Sequence, residues 1–400
     1  MELLMKGCRL IDWDKDFYGD IYILNGKIED FGSNLNYDCN TINCEGLAVL
    51  PSFIDMHVHF RDPGYTYKED IYTGSLAALK GGYTFVNLMA NTNPICSNMD
   101  VVNYVLDKSK ELDLIDVHQT VSITKNFDGV SLDHIDKLEK CVKFLSDDGK
   151  GVQEEDIMYD ALIKARGKGL ILIAHEEDES VVNIDSRQSE NNMTFRDIEL
   201  VRKTKSRLHF AHVSTKEAMM GIISAKKEGL PITCEVTPHH IALYDNDYKV
   251  NPPIRLIEDI NSLISGIKEG FVDVISTDHA PHSHEDKLKG ACGISGLETA
   301  FSVCYTTLAK NGHISIKKLS ELMSKNPGEI VGVNKGKIEK GYDGDLVLVD
   351  LEKEIEVDKN TFVSKGKNTP FHKRKYYGEI LATVKNGKIK YNGGISFDNR

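Results

Sequence analysis

Residues 53–64, FIDMHVHFRDPG, set His57 and His59 one residue apart in an apolar, strand-like run that passes into Arg61 and a Pro-Gly turn. Side chains alternate along a strand, so the two imidazoles project to the same side. Each buried polar group left unpaired costs roughly 1–3 kcal/mol, so something must satisfy them. An isolated H-x-H is more often a pair of hydrogen-bonded core histidines. Here, however, other strand-like runs end in residues of ligand type: Asp148 after CVKFLSD, His175 after LILIA, His212 in HFAHVS and Asp278 after VDVIST. Four histidines and two aspartates exceed the ligands of one tetrahedral zinc ion, which points to two Zn2+ ions sharing a bridging carboxylate and a bridging water. A metal lowers the pKa of its water from 15.7 to about 7, and a carboxylate such as Asp278 beside that oxygen can carry a proton in either direction. Opening or closing a cyclic amide needs that combination.

Arg61 follows His59 by two and shares its side of the strand, and a guanidinium fork suits bidentate pairing with a carboxylate. Asn91, at the end of the second run, can donate to the same anion. The expected substrate is a small molecule with a free carboxylate. Among the other histidines, His118 and His209 sit early in their runs and are read as core or surface residues. His239 and His240 lie beyond a strand end and are not assigned as ligands. His284 belongs to a solvated charged loop, whereas His282, four residues after Asp278, stays a site candidate. The polar, glycine-containing segment 282–296 is expected to be a lid.

These side chains need elements that carry them to one place. Eight strand-like runs alternate with helix-like ones: Phe53 to Phe60, Tyr83 to Met89, Val117 to Ile123, Cys141 to Asp147, Leu170 to His175, Leu208 to Val213, Ile232 to Val236 and Val272 to Thr277. Helical spacing fills intervals such as Glu69 to Lys80, Glu155 to Arg166 and Lys216 to Lys227. The pattern predicts an α/β fold, a (β/α)8 TIM-like barrel over residues 51–334, with the ligand candidates at its active face, the carboxyl ends of the strands. Both termini instead read as hairpins turning on Asn25-Gly26 and Asn386-Gly387, so 1–50 together with 335–400 should form one small composite β-domain.

A net charge of -12 argues against nucleic acid and anionic membrane surfaces as partners. The N-terminal stretch MELLMKGCRLIDWDKD has no apolar core of signal-peptide length, and a cytoplasmic enzyme is expected. Eight cysteines without C-x-x-C spacing are read as small hydrophobes.

HVHFRDPG, ANTNP, SDDG, AHEED, HVSTKE, NPPIR and TDHAPH follow one another in an order that resembles the dihydroorotases of the amidohydrolase superfamily, and GYDGDLVLVD and SKGKNTPF extend the resemblance to the C-terminal part. The resemblance implies a metal barrel beside a composite β-domain. It also implies a zinc-dependent, reversible cyclisation of N-carbamoyl-L-aspartate to L-dihydroorotate in pyrimidine (UMP) biosynthesis, by metal-bound hydroxide with an aspartate acid/base. Carried over, His57 and His59 hold the first metal, Asp148 bridges in place of a carboxylated lysine, His175 and His212 hold the second, and Asp278 touches the first metal and moves the proton. Arg61, Asn91 and His282 would surround the substrate carboxylate, with Asn251 and the backbone near Cys292 and Gly293 at the ring. Hydantoinases and allantoinases share the barrel but typically use the carboxylated lysine. Non-catalytic relatives that bind aspartate transcarbamoylase have lost ligands that this chain keeps. A homodimer and an association with aspartate transcarbamoylase are the partner states the resemblance leaves open. Ala90 and Ser52 depart from the family's usual proline and glycine.

Overall fold

The computed structural model describes residues 2–395; Met1 and residues 396–400, the extreme ends of the expected composite unit, lie outside the described residues. Each of the eight central runs contains a strand: Phe53–Val58, Tyr83–Leu88, Asp116–Gln119, Phe144–Leu145, Ile171–Ala174, Leu208–Phe210, Ile232–Val236 and Val274–Ile275. All neighbours are parallel. Bridges between Val121 and Leu145 and between Val58 and His279 join the two groups and close the ring. Both faces of such strands are covered, which is why Phe53–Val58 and Tyr83–Leu88 are buried at every position.

Most of the strands stop short of the runs read from the sequence. Cys141 to Asp147, for example, contributes only Phe144–Leu145 to the ladder. At the carboxyl ends, residues such as Asp148, His175, His212 and Asp278 lie past the last ladder pair, where their side chains meet over the barrel mouth. The helices fall where the spacing placed them. Ile71–Lys80 starts after Asp70, whose carboxylate accepts from Thr73 N at 2.8 Å, and Lys216–Lys227 after Thr215, whose hydroxyl accepts from Ala218 N at 3.1 Å. Glu155–Lys168 runs on to Gly169, whose φ of 72° ends it.

Strands from the two ends share one sheet, in the order Lys388–Asn392, Lys375–Lys385, Leu346–Glu356, Ala48–Pro51, Glu2–Ile11, Asp16–Leu24 and Lys27–Gly32, with Thr41–Asn43 also paired to Glu2–Ile11. Asn25 (φ 51°) and Gly26 (φ 81°), then Asn386 (φ 50°) and Gly387 (φ 72°), make the two tight turns, both residues left-handed as a two-residue hairpin requires. The turns meet at Gly344, which donates to Gly26 O at 2.7 Å and accepts from Gly387 N at 3.0 Å. A separate apolar cluster that includes Met5, Ile21, Val49, Leu346 and Val384 fills this sheet's inner face.

Candidate active site

His57 and His59 do point to one side of the first strand, toward the barrel mouth. The two chains of ligand candidates converge on Asp148. Its Oδ1 lies 3.2 Å from His57 Nε2, 3.4 Å from His175 Nδ1 and 3.6 Å from His212 Nε2, while its Oδ2 lies 3.5 Å from His59 Nε2. Asp278 Oδ1 stands 3.0 Å from His59 Nε2 and 3.6 Å from His57 Nε2. Two ligand triads result, His57–His59–Asp148 and Asp148–His175–His212, with the aspartate common to both. In the SDDG turn the division of labour is clean: Asp147 faces away and accepts from Ile123 N (2.7 Å) and Thr124 N (3.1 Å), which leaves Asp148 free to face the histidines.

The backbone is bent to achieve this. Arg61 (φ 58°), His212 (φ 32°) and Asp278 (φ 47°) all adopt left-handed conformations, costing about 1–3 kcal/mol each for residues with a Cβ. Local hydrogen bonds hold two of them. Buried Asp55 accepts from His57 N at 3.1 Å and from Thr277 N at 3.1 Å, tying the first strand to the segment that presents Asp278. Glu235, wholly buried, accepts from His57 Nδ1 at 2.7 Å and His212 N at 3.3 Å through one oxygen, and from His209 Nε2 at 3.2 Å through the other.

The electrostatics favour a cation. Burial would raise the Asp148 carboxyl, but the charge of His57 and the hydrogen bonds of His175 and His212 hold it well below the carboxylate range. Burial would lower His57, yet Asp148 and Glu235 lift it well above an ordinary imidazole. His175 is raised to about 10, burial being outweighed by Asp148 and Glu177. The carboxylates thus demand positive charge at the imidazole nitrogens. His57 Nε2, buried and without a hydrogen-bond partner, is the donor atom a metal would use, because Glu235 engages Nδ1 and so leaves the Nε2 lone pair facing Asp148. Imidazole nitrogens and a shared carboxylate fit a divalent metal of the zinc type.

Ten of the twelve expected site residues line one open cleft of about 190 Å³. The exceptions are His57, buried beneath it, and His282, whose ring faces a neighbouring cleft. Arg61 reaches Asn91 Oδ1 at 3.4 Å, and Asn91 Oδ1 also meets His59 Nδ1 at 2.9 Å, so the expected anion partners adjoin the metal-ligand candidates. Asn251 approaches His175 Nε2 at 3.3 Å and Glu177 at 2.6 Å. Gly293 admits no side chain, since its φ is 138° and a Cβ would stand 2.6 Å from Ala280 O. His118 is a core residue bonded to Asn87, and Ser52 bonds Thr84 in the core. His239, set aside on its position past a strand, is buried beside the site with an unpartnered Nε2. Glu235 was missed altogether. An acid inside the buried strand Ile232–Val236 was the available signal.

A model of the amidohydrolase family matches residues 48–390. The dihydroorotase of Clostridium botulinum is 54% identical over 396 residues, covering 98% of this chain and 100% of that one, and the dihydroorotase of a Thermoanaerobacter species is 41% identical over 421 residues, covering 98% and 97%. Among solved structures, L-hydantoinase (dihydropyrimidinase) from Arthrobacter aurescens superimposes with a TM-score of 0.89 at 24% identity, covering 98% of this chain and 97% of that one. Dihydropyrimidinase from Brevibacillus agri does so with a TM-score of 0.87 at 20% identity, covering 99% and 96%. At those identities the structural likeness concerns the fold alone. Full-length identity to the curated relatives places the chain among the dihydroorotases of the amidohydrolase family.

Proposed function

We propose that this protein is a zinc enzyme that interconverts N-carbamoyl-L-aspartate and L-dihydroorotate in pyrimidine biosynthesis. The observation that carries the reading is Asp148 encircled by four imidazoles at 3.2–3.6 Å, with Asp278 and Arg61 at the rim. His57, His59, Asp148, His175, His212 and Asp278 would hold two zinc ions. Zinc bound there supplies a water ionisable near neutral pH and a Lewis acid for the amide carbonyl.

The chain's own residues do the rest. Arg61 and Asn91 fix the substrate carboxylate, so that the ring lies over the imidazole cluster. Asp278 is charged when substrate arrives: burial works against ionisation, but the hydrogen bond from His59 and the charges of His57 and His212 hold its carboxyl at about 2. In ring opening it takes the proton of the attacking oxygen and delivers it to the departing ring nitrogen. In closure it takes that proton from the ureido nitrogen and returns it to the oxygen that leaves. Asn251 and the backbone at Cys292 and Gly293 enclose the ring. The sheet pairing supports dividing the molecule into 1–50 with 335–400 as one unit and 51–334 as the catalytic barrel.

Loss of dihydroorotate absorbance, followed for the native protein and Asp278→Ala, tests the assignment. The variant should keep the native circular dichroism and metal content within about one ion and lose nearly all turnover. Full activity in the variant would remove the proposed proton carrier.

A further inference from the structure

A second cleft, of about 260 Å³, is not used by the reaction above, and one of its lining residues, Lys287, is bonded to the Ala291–Gly293 segment whose Cys292 and Gly293 line the substrate cleft. Lys287, Lys359, Lys365 and Lys367 line this second cleft beside Tyr248 and His282, and no carboxylate does. In a chain with 61 acidic and 49 basic residues this is a local reversal of charge. Lys365 is neutralised from outside, its Nζ lying 2.6 Å from Asp70 Oδ2. The other three are not. Lys287 Nζ donates to the carbonyls of Lys249, Ala291 and Gly293 at 3.0, 2.8 and 3.1 Å and stands 4.5 Å over the Tyr248 ring. Lys367 Nζ donates to the carbonyls of Phe362 and Ser364. Among the described residues the Lys359 ammonium has no hydrogen-bond or ion-pair partner. Carbonyl dipoles satisfy N–H donors but leave the unit charge, so three ammonium groups around one hollow retain their attraction for an anion.

We propose that this cleft is a second anion site, one that takes a phosphate-bearing small molecule, and that its occupancy reaches the substrate cleft through Lys287. Several lysines spread over one hollow suit a group with two or more charges and oxygens pointing several ways, which a phosphoryl group has and a lone carboxylate lacks. The coupling is short. Lys287 grips Gly293 O, and Gly293 lines the substrate cleft with its backbone pressed against Ala280 and the His282 ring. An oxyanion that draws the Lys287 ammonium toward itself weakens its hold on that wall and raises the substrate KM. The effect on KM rests on the reaction proposed above; the binding does not.

Calorimetric titration of the full-length protein with pyrophosphate, in low salt and with and without saturating dihydroorotate, tests the binding directly. Saturable binding is expected, persisting with dihydroorotate present and weakened about tenfold or more in Lys359→Gln/Lys367→Gln and in Lys359→Glu, with native kcat/KM retained in the absence of pyrophosphate. Adenosine diphosphate in a parallel titration separates the sources: tighter binding than pyrophosphate assigns a nucleotide, equal or weaker binding a free phosphate or diphosphate. No saturable binding, equal binding by native and substituted proteins, or complete displacement by dihydroorotate would overturn the site. Binding that passes these tests but leaves the KM unchanged would overturn the coupling through Lys287.

Discussion

Glu235 should govern metal affinity without touching the metal. Its Oε1 serves both His57 Nδ1 (2.7 Å) and His212 N (3.3 Å), and its Oε2 serves His209 Nε2 (3.2 Å). In Glu235→Gln the amide oxygen can keep the first two partners, while its NH2 group faces His209. That ring can change tautomer, because its Nδ1 partner, the Thr233 hydroxyl at 2.8 Å, both donates and accepts. What is lost is the charge in the bond to His57, the difference between a charged hydrogen bond of about 1.5–3 kcal/mol and a neutral one of about 0.5–1.5. That difference corresponds to about tenfold in the basicity His57 offers through Nε2, and loss of such partners lowers metal affinity about 10–100-fold. Glu235→Ala also leaves two buried imidazoles facing an emptied space, so it should cost about 3–5 kcal/mol of stability. Competition with a chromophoric chelator measures affinity, and urea unfolding measures stability. Glu235→Gln binding metal within twofold of the native protein would refute the reasoning that makes His57 a ligand oriented from below.

Three further outcomes are expected. Arg61→Lys replaces a planar fork with a point charge and should raise KM about 10–100-fold with kcat largely kept, by steady-state kinetics; an unchanged KM would remove Arg61 from the substrate. Gly293→Ala forces a Cβ to within 2.6 Å of Ala280 O at a φ of 138°, and should cost about 1–3 kcal/mol in urea unfolding with a marked loss of kcat/KM; native values for both would contradict the close approach. His118, bonded at both ring nitrogens by Asn87 and Lys143 N, is pushed by burial and by Lys143 from 6.5 to about 3, so the folded protein takes up fewer protons there than the unfolded chain as pH falls below 6.5. Stability is therefore lost on acidification, by about 2 kcal/mol between pH 7 and pH 5, and His118→Gln should reduce the measured decrement by that amount; an equal decrement in the variant would contradict the assignment.

The barrel was legible because its strands are short apolar runs between helical spacings, and the two Asn-Gly hairpins because only a left-handed pair makes so tight a turn. The two-residue period put His57 and His59 on one side, but their reading as ligands needed the other ligand-type strand ends. Asp148 was legible only in company, as one of several ligand-type residues closing successive runs: SDDG alone reads as an ordinary turn, and it is Asp147 that takes the capping bonds and leaves its neighbour for the histidines. Glu235 escaped for a different reason: its partner His57 is 178 residues away, and no local spacing carries a contact of that range. His209 was rightly placed below the site but underread, since it occupies the second oxygen of the same carboxylate. His239 was judged by its position after a strand, whereas Thr237 caps a short turn of helix there and folds it back beside the cluster.

Asp148 lies between two pairs of histidines, His57 with His59 and His175 with His212, and the proposed function has it shared by two metals. Elemental analysis of the purified protein and of Asp148→Ala, with circular dichroism to verify folding, tests this most directly. Two zinc ions per chain are expected in the native protein and at most one in the variant. An undiminished metal content in folded Asp148→Ala would contradict it.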